Sequence, residues 1–484
     1  MRRVLLTVHK FFPEHKAGTE VLTLKVAQGL LARGYEVLVV TANPPDLDAR
    51  HPSENETRDY VHDGVKVHSV EEGLRLKGYT FRHEFYHDAI KEHFSQVLKD
   101  FKPDLVHIFH AQNLTSSIID ASVEAGIPIV SSLTDFWFVC PIVQLKRPDG
   151  AMCRGPGPGA RNCLTCYTPE LIPPAEQLLE AFGKKIPALA QTVDKLPSVL
   201  QTACAKTLQL GYSAAKMPAA VKATVERPQV LIEAVNKNKA IMVPTKLMHD
   251  IFVENGMNAE IMHHVPFGLD QSDLLKHQTK TPSNELRIGF IGTIFEHKGL
   301  DLLVKAFQKF DAKTSAVLKI YGNIDQFPEY GKTIQALINQ NPRNIELCGT
   351  FPNSKLGEVF EGIDVLVVPS RWYENTPLVI QSALATKTPV VATDLGGMSE
   401  LVKHETNGLL FELNDFESLH KQLKRLADDR ELLKRFVGNI PPERTIEAMV
   451  DDITGIYDKV LNSGNTSGAK TATQPAVGGI ITSL

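Results

Sequence analysis

Nowhere in the 484 residues does an apolar run approach the roughly 20 that a helix needs to cross a bilayer, so no membrane span is expected. Positive charge is not in excess either. The formal net charge is -4 at pH 7, which leaves no dominant basic field to release phosphate counterions and argues against nucleic acid as a main partner. No fixed-period repeat is present. The start, MRRVLLTVHKFFPEH, has two arginines and a short apolar run, but no small-residue cleavage site follows. It reads as a first buried strand rather than a secretory leader, and a cytoplasmic location is expected.

The chain is too long for one typical domain, and its 43% hydrophobic content can fill two cores. In the first half, strand patterns at 4–8, 36–41, 65–70, 104–109 and 128–133 alternate with helical patterns at 20–33, 83–99 and 116–125. Such alternation implies a parallel, doubly wound sheet. Residues 168–238 break the rhythm with Ala, Leu, Lys and spaced prolines, and predict several short helices. Strands return at 240–244 and 261–266. The first domain is therefore expected over 1–167 plus 239–280, with 168–238 as a helical insertion. A second Rossmann-like unit is expected over 285–440, from strands at 286–292, 317–321, 345–348, 364–368 and 389–392. Helical patterns at 416–436 and 442–461 are expected to close it, with 441–463 as a closing helix. The small, polar tail 464–484 predicts disorder.

Facing sheets of this kind put the carboxyl ends of their strands on one cleft, where ligands bind. The segment DVLVVPSRWYENTPLVIQSALATKTPVVATDLGGMSELVKHETNG, from Asp364 to Gly408, sets an acidic side chain between a buried strand and a helix. The apolar run ends at Pro369 and Glu374 follows in a polar loop. Thr376 is expected as helix N-cap with Pro377 in the first turn, which leaves the amides of Leu378 and Val379 free for phosphate oxygens. An ordinary βα turn with a solvated glutamate is the alternative. In IGFIGTIFEHKGLDLLVKAF, a strand ends at Gly292 and a helix opens after Gly299, with Lys298 at its start. A lysine beside a helix N-terminus combines a point charge with oriented amides.

These two segments resemble the retaining GT-B glycosyltransferases of the glycosyltransferase family 4 type. The resemblance implies a fold of two Rossmann-like domains facing a central cleft. It implies that Glu374 lies beside the transferred sugar, Lys298 binds the donor diphosphate, and Asn375 and Thr376 complete the donor loop. The family's second glutamate falls at Ser382, its frequent arginine at Thr293, and the first glycine of its glycine pair at Ala17, with Gly18 kept. Where many relatives carry a sugar-contacting histidine, Thr134 stands, while Asp135 and Trp137 match. His110 and Asp135 are expected on the acceptor side; His107 reads as core and His110 as core or cleft.

Four of the six cysteines, Cys140, Cys153, Cys163 and Cys166, crowd into one Gly/Pro-rich loop. Structural zinc is the expectation there, with free or redox-active thiols, an iron–sulfur cluster and disulfides as alternatives. The insertion is mildly basic and interleaved with apolar residues, which suggests either helices packed on the first domain or a peripheral contact with an anionic membrane. The expected activity is transfer of a sugar from a nucleoside diphosphate sugar to a hydroxyl of a glycan, lipid-linked or small acceptor, with no cofactor for the chemistry. A nucleotide-sugar-binding protein without transfer activity, or a GT-B epimerase or phosphorylase, are the competing readings.

Overall fold

A computed structural model describes residues 1–42, 56–76, 78–167, 175, 178–179, 193, 197–342 and 344–466. It contains two sheets. The first joins β1 (Arg3–Val8), β2 (Glu36–Thr41), β3 (Thr57–His62), β4 (Val65–Val70), β5 (Leu105–Ile108), β6 (Ile129–Ser132), β7 (Ala240–Val243) and β8 (Met262–His264) in the order β3-β4-β2-β1-β5-β6-β7-β8. The second joins β9 (Leu286–Ile291), β10 (Ala316–Tyr321), β11 (Ile345–Gly349), β12 (Val365–Val368), β13 (Val390–Thr393) and β14 (Gly408–Phe411) in the order β11-β10-β9-β12-β13-β14. All pairings are parallel except β3 with β4.

Parallel strands are covered on both faces, and their side chains alternate between two cores. On β1, Leu5 enters one cluster while Val4, Leu6 and Val8 enter the other. On β12, Val365 and Val367 pack on one face, Leu366 and Val368 on the opposite one. Each sheet reverses its strand order once, between β1 and β5 and between β9 and β12. The loops leaving those four strands carry His9, His110, Lys298 and Glu374, as expected of a topological switch point, while Thr134 and Asp135 follow β6.

Several elements differ from the sequence reading. The edge strand β3 is polar and partly exposed, so its pattern carries no core signal. β14 is only four residues long and was also not expected. The pattern at 416–436 divides into Phe416–Asp428 and Arg430–Asn439, because Asp429 caps the second helix by accepting from Glu431 and Leu432. Instead of several short helices, residues 198–235 form one helix, Ser198–Val235, with Pro218 and Pro228 inside it. Its alanine content favours helix, and its second half is held by buried Arg227, Leu231, Ala234 and Val235, which outweigh the local breaks. Most of 168–196, and the tail from 467, lie outside the described residues.

The last helix, Ile446–Thr466, does not close the second domain. It packs on the first, where Ile446, Met449, Val450, Ile453, Ile456 and Tyr457 join Leu22, Val26, Leu30 and Phe109 in one core. Gly29 faces it so closely that a β-carbon there would lie 2.8 Å from Val450. His107 is fully buried between the Tyr457 hydroxyl (2.6 Å) and Ser132 Oγ (2.9 Å), and burial lowers its pKa to about 3. It is a core residue.

Replacing fully buried Ile453 with alanine should therefore lower stability by about 2–5 kcal/mol. Urea denaturation monitored in the first domain measures it; a loss confined to the second domain would contradict this packing.

Candidate active site

Glu374 lies in the loop after β12, one turn before the helix Leu378–Ala385. One of its oxygens, Oε1, accepts from Lys298 Nζ (2.5 Å), Trp372 Nε1 (2.8 Å) and Ser370 Oγ (2.9 Å). Burial alone would raise this carboxyl's pKa, but the Lys298 charge and the three donated hydrogen bonds hold it below the ordinary value. The ammonium of Lys298 also sits 5.4 Å from the centre of the Trp372 ring.

Both loops are locked. The backbone N–H of Arg371 donates to His297 O at 2.7 Å, and its guanidinium pairs with Asp301 at 2.7 Å, the second residue of the helix Leu300–Gln308. Asp301 also accepts from the Tyr330 hydroxyl at 2.8 Å. Gly299 has φ +70°, and a β-carbon there would sit 2.0 Å from Pro369 O, so only glycine lets the lysine loop approach β12. The His297 ring lies 4.7 Å from that of Trp372, and burial lowers its pKa to about 4.

Two cavities meet at Glu374. One, of about 350 Å³, is lined by Gly18, Gly292, Thr293, Lys298, Ser370, Thr376, Leu378 and Val379. The helix N-cap is Pro377 rather than Thr376, because Pro377 is still extended (φ -62°, ψ 114°) and the first helical residue is Leu378. The Leu378 and Val379 amides nonetheless open the helix, as expected. The second cavity, of about 290 Å³, has Gly18, Thr134, Asp135, Asn375, Thr376 and Leu378 in its wall, together with His9, Glu20, Phe136, Trp372 and Tyr373. Asn375 Nδ2 donates to Thr134 O at 2.6 Å, tying the two domains together.

Two expected residues stand back from these cavities. Ser382 is 3% exposed within its helix and lines neither cavity. His110 is buried; its Nδ1 accepts from the Gln112 amide (2.9 Å), so Nε2 carries the proton and donates to Asp135 (2.7 Å). His110 thus orients a cleft carboxylate. His9, Glu20, Trp372 and Tyr373 were not singled out from sequence. Glu20 directly follows Gly18 and Thr19 in the first turn of the helix Gly18–Ala32, and Trp372 and Tyr373 directly precede Glu374, which was the available signal.

The loop behind Asp135 is anchored from the insertion. Arg227 of the helix Ser198–Val235 donates to Trp137 O at 2.5 Å, with its guanidinium 5.1 Å from the Trp137 ring centre. The four clustered cysteines share the wall of a cavity of about 20 Å³. Among the described residues, however, no group of three or more His, Cys, Asp or Glu side chains is arranged to hold a metal ion. The zinc expectation thus gains no support from the geometry, because the thiols line a common wall without converging as ligands. None of the four is joined in a disulfide.

Residues 17–268 match the model of the glycosyl transferase 4-like domain, and residues 271–441 that of glycosyl transferases group 1. An uncharacterized glycosyltransferase of Methanocaldococcus jannaschii is 29% identical over 194 residues, 39% of this chain and 47% of that relative, so the chain spans less than half of it. A glycosyltransferase structure from Rickettsia africae superimposes with a TM-score of 0.60 at 14% identity, covering 95% of this chain and 98% of that one. The structure of Anabaena HepE in complex with UDP-glucose gives a TM-score of 0.56 at 14% identity, covering 96% and 100%. The chain shares the GT-B fold with both of these solved structures.

Removing the Lys298 charge should leave the buried Glu374 carboxylate without its main cation. In Lys298→Met its pKa should rise above 4.5, with a loss of about 1–3 kcal/mol at pH 7. In the native protein the folded pKa is depressed, so this stabilisation is present above pH 4.5 and lost only as pH falls through the folded value. In the variant the raised carboxyl is protonated on mild acidification, so the difference in stability should shrink between pH 7 and pH 5. Denaturant titrations at both pH values test it; a difference independent of pH would mean that the pair is not electrostatically coupled.

Proposed function

Since the chain belongs to the glycosyl transferase 4-like family, with a group 1 second domain, we propose that it is a retaining glycosyltransferase. In this reading it moves a sugar from a nucleoside diphosphate sugar to a hydroxyl of a glycan, lipid-linked or small acceptor. The observation that carries the reading is the junction of the two cavities at Glu374, with Lys298 and an open helix N-terminus on one side of it. The UDP-glucose bound by the Anabaena neighbour is the class of donor that this reading requires.

The hard step is the build-up of charge on the departing diphosphate. Lys298 and the Leu378 and Val379 amides stabilise it by oriented charge that needs no rearrangement during the reaction. Lys298 then divides its hydrogens between the phosphate and Glu374, which holds the sugar hydroxyls. The bond from the anomeric carbon to phosphate oxygen breaks as the bond to the acceptor oxygen forms on the same face. The acceptor's proton passes to the leaving phosphate, giving the nucleoside diphosphate and a product of retained anomeric configuration. Ala17, Thr134 and Thr293, which line the cavities where the family pattern has a glycine, a histidine and an arginine, favour a second reading, a nucleotide-sugar-binding protein without turnover.

With its accepted donor, Lys298→Ala should lower kcat/KM by about 10²–10³. Nucleoside diphosphate release from a panel of UDP-, GDP- and ADP-sugars measures it, and the anomeric coupling in the product's NMR spectrum reports stereochemistry. Nucleotide binding without turnover of any donor would leave the binding-protein reading; an inverted product would reject the retaining one.

We also infer a peripheral membrane contact through the helix Ser198–Val235. Val199 and Leu210 are 77% and 72% exposed there, and Leu200 and Val225 are also exposed, on a helix that carries Lys206, Lys216 and Lys222. Cosedimentation with anionic vesicles should weaken with salt and in the triple Lys→Gln variant. No cosedimentation at low salt would leave this helix a purely structural arm.

A further inference from the structure

Away from both cavities, the two domains meet at the start of the first-domain helix Lys246–Glu254. Its N-cap residue, Thr245, accepts from the Met248 amide at 3.2 Å through Oγ1. The two amides in between are satisfied from the other domain: Glu400 Oε2 accepts from Lys246 N at 2.8 Å, and Glu400 Oε1 from Leu247 N at 2.9 Å. A capping acceptor ordinarily comes from the first residues of the helix itself. This one stands 153 residues further along the chain than Leu247. A carboxylate at a helix N-terminus is favoured by the helix dipole, and both of its oxygens are engaged, so the contact fixes direction as well as distance.

Glu400 is the fourth residue of the short helix Gly397–Leu401, and the start of that helix presses on the loop that carries Glu374. The Gly397 amide donates to Glu374 O at 3.0 Å, and a β-carbon on Gly397 would lie 1.5 Å from Asn375 O, so no larger residue fits. Gly396, at φ +60°, is wedged between that loop and the first domain: a β-carbon there would lie 3.2 Å from Tyr373 and 2.8 Å from Leu247. The first domain also holds the loop directly. Thr134 O accepts from Asn375 Nδ2 at 2.6 Å, and the Phe136 ring lies 6.3 Å from that of Tyr373. The backbone of Glu374 is thus set by first-domain groups and by the segment Gly396–Leu401 together, and Glu400 fastens that segment to the first domain. A shift of about 1 Å between the domains would break these hydrogen bonds.

We propose that Glu400 is a positioning residue for sugar transfer: by capping the helix Lys246–Glu254 it holds the two domains in the arrangement in which Asn375 reaches Thr134 and the backbone of Glu374 is fixed. Glu400 lines neither cavity and acts through the Glu374 loop. The role rests on the transferase reading above. Lys298 and the Leu378 and Val379 amides, which that reading assigns to the diphosphate, belong to the second domain alone, so loss of the cap affects turnover more than nucleotide binding.

The test uses the full-length protein with whichever UDP-, GDP- or ADP-sugar it turns over fastest, followed by nucleoside diphosphate release, and calorimetry with the matching nucleoside diphosphate. Glu400→Ala removes both acceptors, whereas Glu400→Gln keeps one and should be intermediate. On the first domain, Lys246→Pro deletes one donated amide at the first helical position, where proline is tolerated; Thr245, at φ -137° and ψ 153°, already has the extended backbone that a following proline requires. Glu400→Ala should lower kcat by about tenfold or more, with nucleotide affinity changed by less than about threefold and the melting curve in place. Lys246→Pro should lower kcat in the native protein but not in Glu400→Ala, because the contact is already gone there. Unchanged kcat in Glu400→Ala, or additive losses in the double variant, would overturn the role while leaving the transferase reading intact. So would a loss of kcat that follows melting temperature across the three single variants, or one matched by an equal loss of nucleotide affinity. A native protein that releases nucleotide from no donor would instead remove the transferase reading, and the role of Glu400 with it.

Discussion

A parallel strand must be covered on both faces, and that single constraint arranges the rest of this molecule. Leu5 and its neighbours on β1, and Val365 to Val368 on β12, alternate between two apolar layers, so helices have to flank both sides of each sheet. Loops then emerge at the carboxyl ends of the strands, and the two reversals of strand order leave a crevice at each sheet's centre. The polar groups that a folded core cannot accept collect in those crevices. Where the crevices face each other, Asn375 bonds to Thr134, and the carboxylate of Glu400 caps the helix Lys246–Glu254 by accepting from the Lys246 and Leu247 amides at 2.8 and 2.9 Å.

Within this cleft the charges are mutually dependent. Lys298 and Glu374 come from different loops of the second domain, yet each is the other's direct charged partner in the structure. Their positions follow from the Arg371–Asp301–Tyr330 chain and from the close passage of Gly299 past Pro369. On the first domain, His110 directs Asp135, and Arg227 fixes the backbone two residues further on. A preorganised site of this kind spends little on reorganisation when charge develops.

The parts of this arrangement legible in the sequence were those with a periodic or punctuated signal. Valine-rich buried strands, the glycine before Leu300 and the proline before Leu378 marked both loops of the second domain. The long helix Ser198–Val235 was misread because Pro218 and Pro228 are local breakers, whereas the packing of Arg227 and Leu231 that sustains it is tertiary. His9 and Glu20 escaped notice for a related reason: a glutamate in the first turn of a helix is usually solvated, and its burial here depends on strands distant in sequence. Ser382 shows the converse limit, since a position inferred from motif spacing lines neither cavity.

The helix Ile446–Thr466 returns to the first domain after the chain has completed the second, and the backbone near Leu269 bonds to Arg444 and Ile446 where the two crossings run side by side. The core of the domain begun at Arg3 is thus completed by residues that follow the whole second domain in the chain. During synthesis the part of its core that Ile446, Met449, Val450, Ile453, Ile456 and Tyr457 complete, beside Leu22, Val26 and Leu30, lacks that cover until the second domain has been made. Full closure of the first domain's core therefore depends on residues translated after the second domain.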